Sequence, residues 1–180
     1  MRLRLLVLIS AGCLVACSTP PWVPPASQAL WSDWTNDSEV CVPSRQHTAH
    51  TVGLDTFESS EPVQVTNVTW LDEQGMEKVE FRFVQHRASD PNGMFGVWNG
   101  NPPELDPKEA RASLAVWKRA RPLESATLPV AGEDDSINVL IGFSGTDGSA
   151  GPLRIDCVDG QGRRGSAVGR VTVEVRPVCR

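Results

Sequence analysis

The chain has 180 residues, of which 40% are hydrophobic and 22% are charged. This length is enough for one domain with a real hydrophobic core and gives no sign of a second domain. The formal net charge is −5, and an acidic chain has no electrostatic reason to bind nucleic acid. We therefore expect no nucleic-acid partner.

The first residues have the layout of an export signal. Arg2 and Arg4 precede an uncharged stretch, residues 5–16, which is shorter than the roughly 20 apolar residues that a transmembrane helix needs. A basic start followed by an apolar run of about 7–15 residues is typical of a secretory signal peptide. The sequence therefore predicts a cleaved signal and not a membrane span.

The end of this run resembles the lipobox of bacterial lipoprotein signal peptides. Residues 14–17 read LVAC, with an aliphatic side chain at Leu14, a small one at Ala16 and a cysteine at Cys17. The resemblance implies that a diacylglyceryl group is attached to the thiol of Cys17 and that the signal is cut just before it. The lipid would hold the protein at the extracytoplasmic face of the cell membrane. The alternative is an ordinary signal peptide with a cysteine at its cleavage site.

These features divide the chain into three parts. We expect a lipoprotein signal peptide at residues 1–16, a tether at residues 17–38 that begins with the lipidated Cys17, and a β-rich domain at residues 39–180. The first half of the tether is rich in proline, which favours extended polyproline II structure.

The second half of the tether carries the segment SQALWSDW, residues 27–34. Here Leu30, Trp31 and Trp34 could share one face of a short helix that Ser27 caps. We expect the aromatic side chains to dock on the surface of the domain. An anchor at the membrane–water interface, where tryptophan is enriched, is the alternative.

From residue 39 the pattern changes to that of β-strands. EVCV and HTVGLDTF, residues 39–42 and 50–57, are rich in β-forming side chains. EKVEFRFVQH, residues 77–86, alternates apolar and charged side chains, which indicates a strand with one buried face. PVQVTNVTWLD, residues 62–72, alternates as well, but its phase changes at residues 66–67, where a β-bulge is expected.

The middle of the chain predicts a loop and then a helix. Residues 88–107 are rich in proline, glycine and asparagine, which indicates a long irregular excursion. The sequence DPKE at residues 106–109 can cap a helix through Asp106. Residues 108–120, KEARASLAVWKRA, then place apolar side chains at helical spacing, so we predict one short helix.

The remainder returns to strands, which we expect in ATLPV, SINVLIGFS, GPLRIDCVD and VGRVTVEVRPV. The tetrapeptide DGQG, residues 159–162, is a tight-turn sequence between the last two of them. Short strands separated by turn signals predict a mainly β, immunoglobulin-like antiparallel β-sandwich with one short helix.

Two segments are similar to motifs that recur in a group of actinobacterial extracytoplasmic proteins. They are EPVQVTNVTWLD, residues 61–72, and CVDGQGRRGSAVGRVTVEVRPVC, residues 157–179. The resemblance spans most of residues 39–180. It implies an immunoglobulin-like β-sandwich and brings no assigned activity with it.

The cysteines predict one disulfide bond. Cys13 leaves with the signal and Cys17 takes the lipid, so three cysteines remain in the domain: Cys41, Cys157 and Cys179. Outside the cytoplasm two of them can form a lasting bridge, and one thiol is left over.

We expect Cys41 to pair with Cys179, because this bond would tie the first strand to the last. A hairpin centred on Gln161 would set Cys157 opposite Gly165, which is far from Cys179. A bridge from Cys157 to either of the other cysteines is the alternative.

The three histidines are candidate metal ligands. His47 and His50 form the spacing H-x-x-H, and histidine is a common copper ligand. On an extended strand, however, residues three apart point to opposite faces. We therefore expect no metal and no cofactor, and we keep as the alternative a copper-handling lipoprotein that uses His47, His50 and His86.

The sequence does not point to catalysis. GFSGT, residues 142–146, nearly matches the Gly-x-Ser-x-Gly nucleophile elbow, but its last position is Thr146 and a loop sequence follows. No pairing of a nucleophile with a base is evident, so we predict no catalytic residues. The expected function is that of a non-enzymatic binding lipoprotein, which is attached to the membrane by its N-terminal lipid and has an envelope protein, polymer or small ligand as its partner.

Overall fold

A computed structural model gives the fold. It describes residues 27–33, 35–44, 49–87, 96–106, 108, 110–132 and 134–179. The described residues do not include the predicted signal peptide, the predicted lipidation site Cys17, Trp34 or His47.

The described chain is mainly β, as the sequence predicts, with one short helix. Its elements in chain order are β1 (Leu30–Ser32), β2 (Ser38–Pro43), β3 (Ala49–Ser59), β4 (Val63–Trp70), β5 (Glu73–Gln74), β6 (Glu77–Arg87), β7 (Val97–Asn99), α1 (Arg111–Arg119), β8 (Arg121–Pro122), β9 (Thr127–Leu128), β10 (Asp135–Ser144), β11 (Gly148–Ala150), β12 (Leu153–Val158), β13 (Arg164–Val168) and β14 (Val171–Arg176).

These strands form three sheets. The largest has the order β1-β3-β10-β6-β8, and β7 also pairs with β3. The second has the order β2-β14-β11-β5, and the third has the order β13-β12-β4-β9. All described pairs are antiparallel except β2 with β14, which is parallel. This pair departs from the predicted antiparallel sandwich, and the long stretch of chain between its two strands allows either direction.

The main hydrophobic core lies between the largest sheet and the other two. Its members come from all three sheets and include Phe57, Phe81, Val65, Ile155 and Val173. Side chains from the inner faces of facing sheets make the core of a β-sandwich, and the architecture is compatible with that class. The immunoglobulin-like connection pattern stays a prediction.

The helix covers the outer face of the largest sheet. Strand β10 is buried on both faces, because Ile137 and its alternate neighbours face the main core while Leu140 faces the helix. Val116 and Ala120 from α1 and its C-terminal end pack against Leu140 and against Val84 of β6. A continuous apolar run such as that of β10 is the expected pattern for a strand covered on both sides.

The predicted helix is confirmed, but its predicted cap is wrong. The helix begins after Ala110, whose side chain cannot cap it. Asp106 instead closes the turn that precedes the helix, because its side chain accepts the backbone N–H of Lys108 at 2.7 Å and its carbonyl accepts that of Ala110 at 2.8 Å.

The predicted bulge in β4 is confirmed. Asp156 of β12 pairs with Asn67, and the next residue of β12 pairs with Val65, so Thr66 is the extra residue. The buried face accordingly changes phase, with Val65 and then Val68 facing the core. A β-bulge places two residues of one strand opposite one residue of the other and so resets the alternation.

The predicted tether does not extend to residue 38. Leu30 is buried, and β1 pairs in antiparallel register with the end of β3, so the predicted short helix is wrong and the folded domain includes residues 27–33. The predicted docking of the aromatic side chains is not seen for Trp31, which is 39% exposed, whereas Leu30 is buried in the core. The unpaired edge of β3 supplies the backbone partners that make a strand the better solution here than an isolated helical turn.

The C-terminal hairpin has the predicted register. Cys157 lies opposite Gly165, and the turn between β12 and β13 contains the predicted residues 159–162. The sequence VGRVTVEVRPV was predicted as one strand, but the strand is interrupted at Gly169 and Arg170, so β13 and β14 are separate and join different sheets.

The predicted disulfide bond joins Cys41 to Cys179, with their Cα atoms 5.7 Å apart. It lies beside the parallel pair of β2 and β14 and therefore ties β2 to the C-terminal end of the described domain. Cys157 is buried as a free thiol, so the two alternative pairings are wrong.

Removing this bond should destabilise the domain strongly. The bond closes a loop with a sequence separation of 138 residues, and in the chain-entropy model such a loop lowers the free energy of the native state relative to the unfolded one by about 5 kcal/mol. We expect the double variant Cys41→Ser, Cys179→Ser to unfold at a much lower guanidinium concentration than the oxidised wild type. The reduced wild type should match the variant, and equal midpoints for variant and oxidised wild type would contradict the prediction.

Candidate functional site

The candidate site lies on the outer face of the sheet β13-β12-β4-β9. In β12 the side chains of Leu153, Ile155 and Cys157 point into the core, so those of Arg154 and Asp156 point outward. In the described chain helix α1 packs against the largest sheet and not against this face, and the segment before β1 lies along the edge strand β13. A sheet face that carries several polar side chains and remains open is a natural place for a binding site.

A depression with a volume of about 670 Å³ opens on this face. This size falls within the range of about 300–1,000 Å³ that is typical of small-molecule sites. The polar side chains that line it are Thr66, Asn67, Arg154, Asp156, Arg164 and Ser166. Sites for small molecules are usually more apolar, so this lining favours a polar ligand.

The register of three strands arranges these side chains in rows. Asp156 in the middle strand lies between Asn67 of β4 and Ser166 of β13. Two residues further along β12, Val158 is the next outward position, and it lies opposite Arg164. Directly opposite residues in antiparallel strands have Cβ atoms about 4.5–5.5 Å apart, and diagonal neighbours about 7–8 Å. All four side chains can therefore reach one ligand.

Asp156 is the centre of a prebuilt polar network. The Nε of Arg154 donates to its Oδ1 at 2.8 Å, and the Nδ2 of Asn67 donates to its Oδ2 at 3.2 Å. The bond from Arg154 and the bond from Asn67 together outweigh the opposing effect of partial burial and lower the pKa of Asp156 below its usual value. The carboxylate is therefore ionised at neutral pH and both of its oxygens are engaged.

The turn at one end of the depression is held by a second carboxylate. Asp159 accepts the backbone N–H groups of Gln161 and Arg163, both at 2.9 Å, and the Nε of Arg163 at 2.6 Å. Burial of this carboxyl opposes ionisation, but the bonds from Arg163, Gln161 and the Ser27 hydroxyl prevail and lower its pKa to about 2. The carboxylate that holds this turn, and with it the start of β13, is therefore ionised at neutral pH.

The segment that precedes β1 also borders the depression, through Ser27. The backbone N–H of Ser27 donates to the carbonyl of Arg164 at 2.8 Å. The carbonyl of Ser27 lies so close to Gly165 that a Cβ at that position would overlap with it. Glycine at residue 165 is thus required by this close approach, and the segment before β1 forms part of the wall.

The free thiol lies under the depression and is not suited to act as a nucleophile. Cys157 is only 2% exposed. Its burial, followed by the negative charges of Asp156 and Asp159, raises the pKa of the thiol. The nucleophilic form of cysteine is the thiolate, so at neutral pH this side chain behaves as a small apolar core residue.

Asp55 is a second ionisable group with a strongly shifted pKa. It lies in a bulge of β3, it is 1% exposed, and its Oδ1 accepts the backbone N–H of Arg170 at 2.6 Å. Burial raises its pKa to about 6, although bonds from Arg170 and Val171 act in the other direction. No hydrogen-bond donor within the described residues reaches its Oδ2, and a Cβ at Gly169 would overlap with that atom.

Strongly shifted pKa values cluster at functional sites, but they also occur in structural contacts. The space beside the β3 bulge has a volume of only about 10 Å³, which is room for about one water molecule. Asp55 joins the largest sheet to the connection between β13 and β14, so we assign it a structural role.

His50 and His86 do not belong to one metal site. His50 pairs with Phe143 of β10 and His86 pairs with Ser136. At about 3.3 Å per residue the stretch of β10 between these partners is roughly 23 Å long, so His50 and His86 cannot bind one ion. His47 lies outside the described residues. Within the described part of the chain no group of three or more His, Cys, Asp or Glu side chains is arranged to bind a metal ion.

The near match to a nucleophile elbow is an ordinary strand end. Gly142 and Ser144 belong to β10, and the next element is the short strand β11. A nucleophile elbow needs a turn from a strand into a helix, which this segment does not form.

The face around Asp156 is not among the sites predicted from the sequence. The signal that could have found it is the alternation in β12, where Arg154 and Asp156 interrupt an otherwise apolar strand at positions that share a face. Such charges are usual on any solvent-facing strand, and the partners Asn67 and Ser166 are brought beside them only by the pairing of strands.

No family model, no curated protein and no solved structure matches this chain. In the described part of the chain, no helix has the length and apolar character needed to cross a membrane. The functional interpretation therefore depends on the residues and their geometry.

The free energy of unfolding should depend on pH through Asp55. Its pKa is about 6 in the folded state and about 3.8 in an unperturbed one, so the folded state binds the proton more tightly. The tighter proton binding stabilises the folded state by about 3 kcal/mol below about pH 4, and this stabilisation is lost as the pH rises through 6. Urea unfolding at pH 4.5 and pH 7.5 should show the loss in wild type and not in Asp55→Asn.

Asp72→Asn is the matched control, because it removes an exposed carboxyl from the surface. This variant should keep the pH dependence of the wild type. If the variant Asp55→Asn lost as much stability between the two pH values as the wild type does, the dependence would have to arise elsewhere.

Proposed function

We propose that this protein is a lipid-anchored, extracytoplasmic binding protein that uses the outer face of the sheet β13-β12-β4-β9 to hold a small polar ligand. The observation that carries the proposal is the depression of about 670 Å³ with a polar network already built into it. Its membrane partner is the lipid bilayer, reached through the acyl chains on Cys17. Its soluble partner is a small molecule or the exposed end of an envelope polymer.

The state of the network supports binding over catalysis. Asp156 is ionised and both of its oxygens accept hydrogen bonds from Arg154 and Asn67, so it is a poor general base. The thiol of Cys157 is buried and its pKa is raised. Catalysis needs a group whose pKa lies near the working pH, whereas a rigid, satisfied network is what holds a ligand in one orientation.

Two features support an extracytoplasmic location. The first is the lipobox-like sequence LVAC at residues 14–17, preceded by a basic start and a short apolar run. The second is the bond between Cys41 and Cys179, since structural disulfides persist in oxidising compartments and are rare in the cytoplasm of mesophiles. The two observations are independent of each other and agree.

The variant Cys17→Ala should lose the anchor. One acyl chain alone holds a protein only marginally, whereas two or more hold it firmly, and the diacylglyceryl group on Cys17 would supply them. We expect the wild type to sediment with membranes and to partition into detergent. We expect the variant to keep its signal uncleaved before residue 17 and to carry no lipid, as read by mass spectrometry.

Cys13→Ala is the matched control, because it replaces a cysteine of the apolar run that lies before the predicted cleavage site. It should be processed and lipidated like the wild type. Lipid on the protein after Cys17→Ala, or none on the wild type, would refute the lipidation part of the proposal.

The binding face can be tested with a panel of sugars, amino acids and dicarboxylates. Ligand-observed NMR on the full chain should yield hits that bind the wild type and lose their signal with the double variant Asn67→Ala, Asp156→Ala. Asp147→Ala removes an exposed carboxylate elsewhere and should retain every hit. Hits that bind all three proteins equally would show that this face is not the site.

A further inference from the structure

The balance of donors and acceptors in the depression indicates what its ligand must bring. Both carboxylate oxygens of Asp156 are already occupied by Arg154 and Asn67. Arg154 uses its Nε in that bond and retains the N–H groups of its two terminal nitrogens. The Asp156 carboxylate, the main acceptor of the site, therefore already accepts a hydrogen bond on each oxygen, while N–H donors of Arg154 are left over.

Arg164 adds the largest share of these free donors. It is exposed on the edge of the depression and lies diagonally across from Asp156 on the neighbouring strand. Among the described residues no side chain makes an ion pair or hydrogen bond with its guanidinium, and the charge of Asp156 is paired with Arg154. A guanidinium presents five N–H groups in a planar fork that fits a carboxylate with two parallel hydrogen bonds.

The charges select a ligand with a single negative charge. The two arginines and one aspartate of the lining leave one positive charge in the depression, whereas the chain as a whole has a formal net charge of −5. A phosphate monoester, with a charge near −2 at neutral pH, would meet the field of Asp156 as well as that of the acidic protein. A planar carboxylate with one charge fits both the sign and the shape of the site.

The remaining polar groups are suited to hydroxyl groups. Thr66 and Ser166 carry hydroxyls that can donate and accept, and Asn67 retains its carbonyl oxygen after donating to Asp156. Among the described residues that line the depression none is aromatic, so the recognition we infer depends on hydrogen bonds and not on stacking.

On the basis of the proposed function, we propose that the ligand is a polyhydroxylated carboxylic acid, such as an acidic sugar. The guanidinium of Arg164 binds its carboxylate. Thr66, Asn67 and Ser166 bind its hydroxyl groups, and the pair of Arg154 and Asp156 fixes the orientation of the polar surface beneath it.

Calorimetric titration of the full chain in detergent with three probes tests this inference. The probes are D-glucuronate, D-glucose and D-glucose 6-phosphate, which share one ring and differ in charge. We expect glucuronate to bind about tenfold or more tightly than either of the others, because only glucuronate offers a monoanionic carboxylate to Arg164.

Three variants assign the effect to one side chain. Arg164→Gln should weaken glucuronate binding by about tenfold or more and leave the binding of glucose unchanged. Arg164→Lys should lie between Arg164→Gln and the wild type, because it keeps the charge and loses the planar fork. Arg111→Gln removes an exposed arginine from helix α1 and should bind glucuronate like the wild type. Equal unfolding midpoints for all proteins would show that the fold is unchanged.

The outcomes separate this inference from the proposed function. Equal affinities for glucose and glucuronate, with no effect of Arg164→Gln, would overturn the acidic ligand while leaving a binding site on this face. Tighter binding of glucose 6-phosphate would overturn the preference for a single charge. If none of the three probes binds, the ligand class is wrong, and the NMR panel with the Asn67 and Asp156 substitutions decides whether the face binds anything.

Discussion

Strand β10 sets the architecture, because both of its faces must be kept away from water. It is buried without interruption from Ile137 to Phe143. On one face its side chains join the core shared with the two smaller sheets, and on the other Leu140 needs a separate cover, which α1 supplies. Its two edges pair with β3 and β6, the two longest strands besides itself. With the helix committed to this side of the molecule, the outer face around Asp156 on the opposite side is left open.

The features that the sequence predicted correctly are those that neighbouring residues determine. The bulge at Thr66 follows from a local change of phase, because every second side chain must be apolar on the buried face. The position of Cys157 opposite Gly165 follows from a turn whose centre can be read within a few residues. The pairing of Cys41 with Cys179 is the exception, because it depends on two strands far apart in the sequence lying side by side.

The features that were missed depend on partners distant in the chain. Leu30 lies in a strand and not in a helix because the edge of β3 was open to it, and no local pattern reveals an open edge. The same holds for the candidate site, where Asn67 meets Asp156 across two strands separated by most of the domain. Ser27 shows this most clearly, since it belongs by composition to a proline-rich tether and by geometry to the wall of the depression.

The bond between Cys41 and Cys179 also decides how the domain responds to mechanical force. A pull between the two ends of the described chain, from Ser27 to Cys179, passes along residues 27–41 and then directly across the sulfur–sulfur bond. The backbone inside the closed loop cannot be extended by such a pull, because the covalent bond bypasses it. Such a pull can detach β1 from the edge of β3, but it cannot extend the sheets behind the bond, so the chain can lengthen only by the short segment before Cys41.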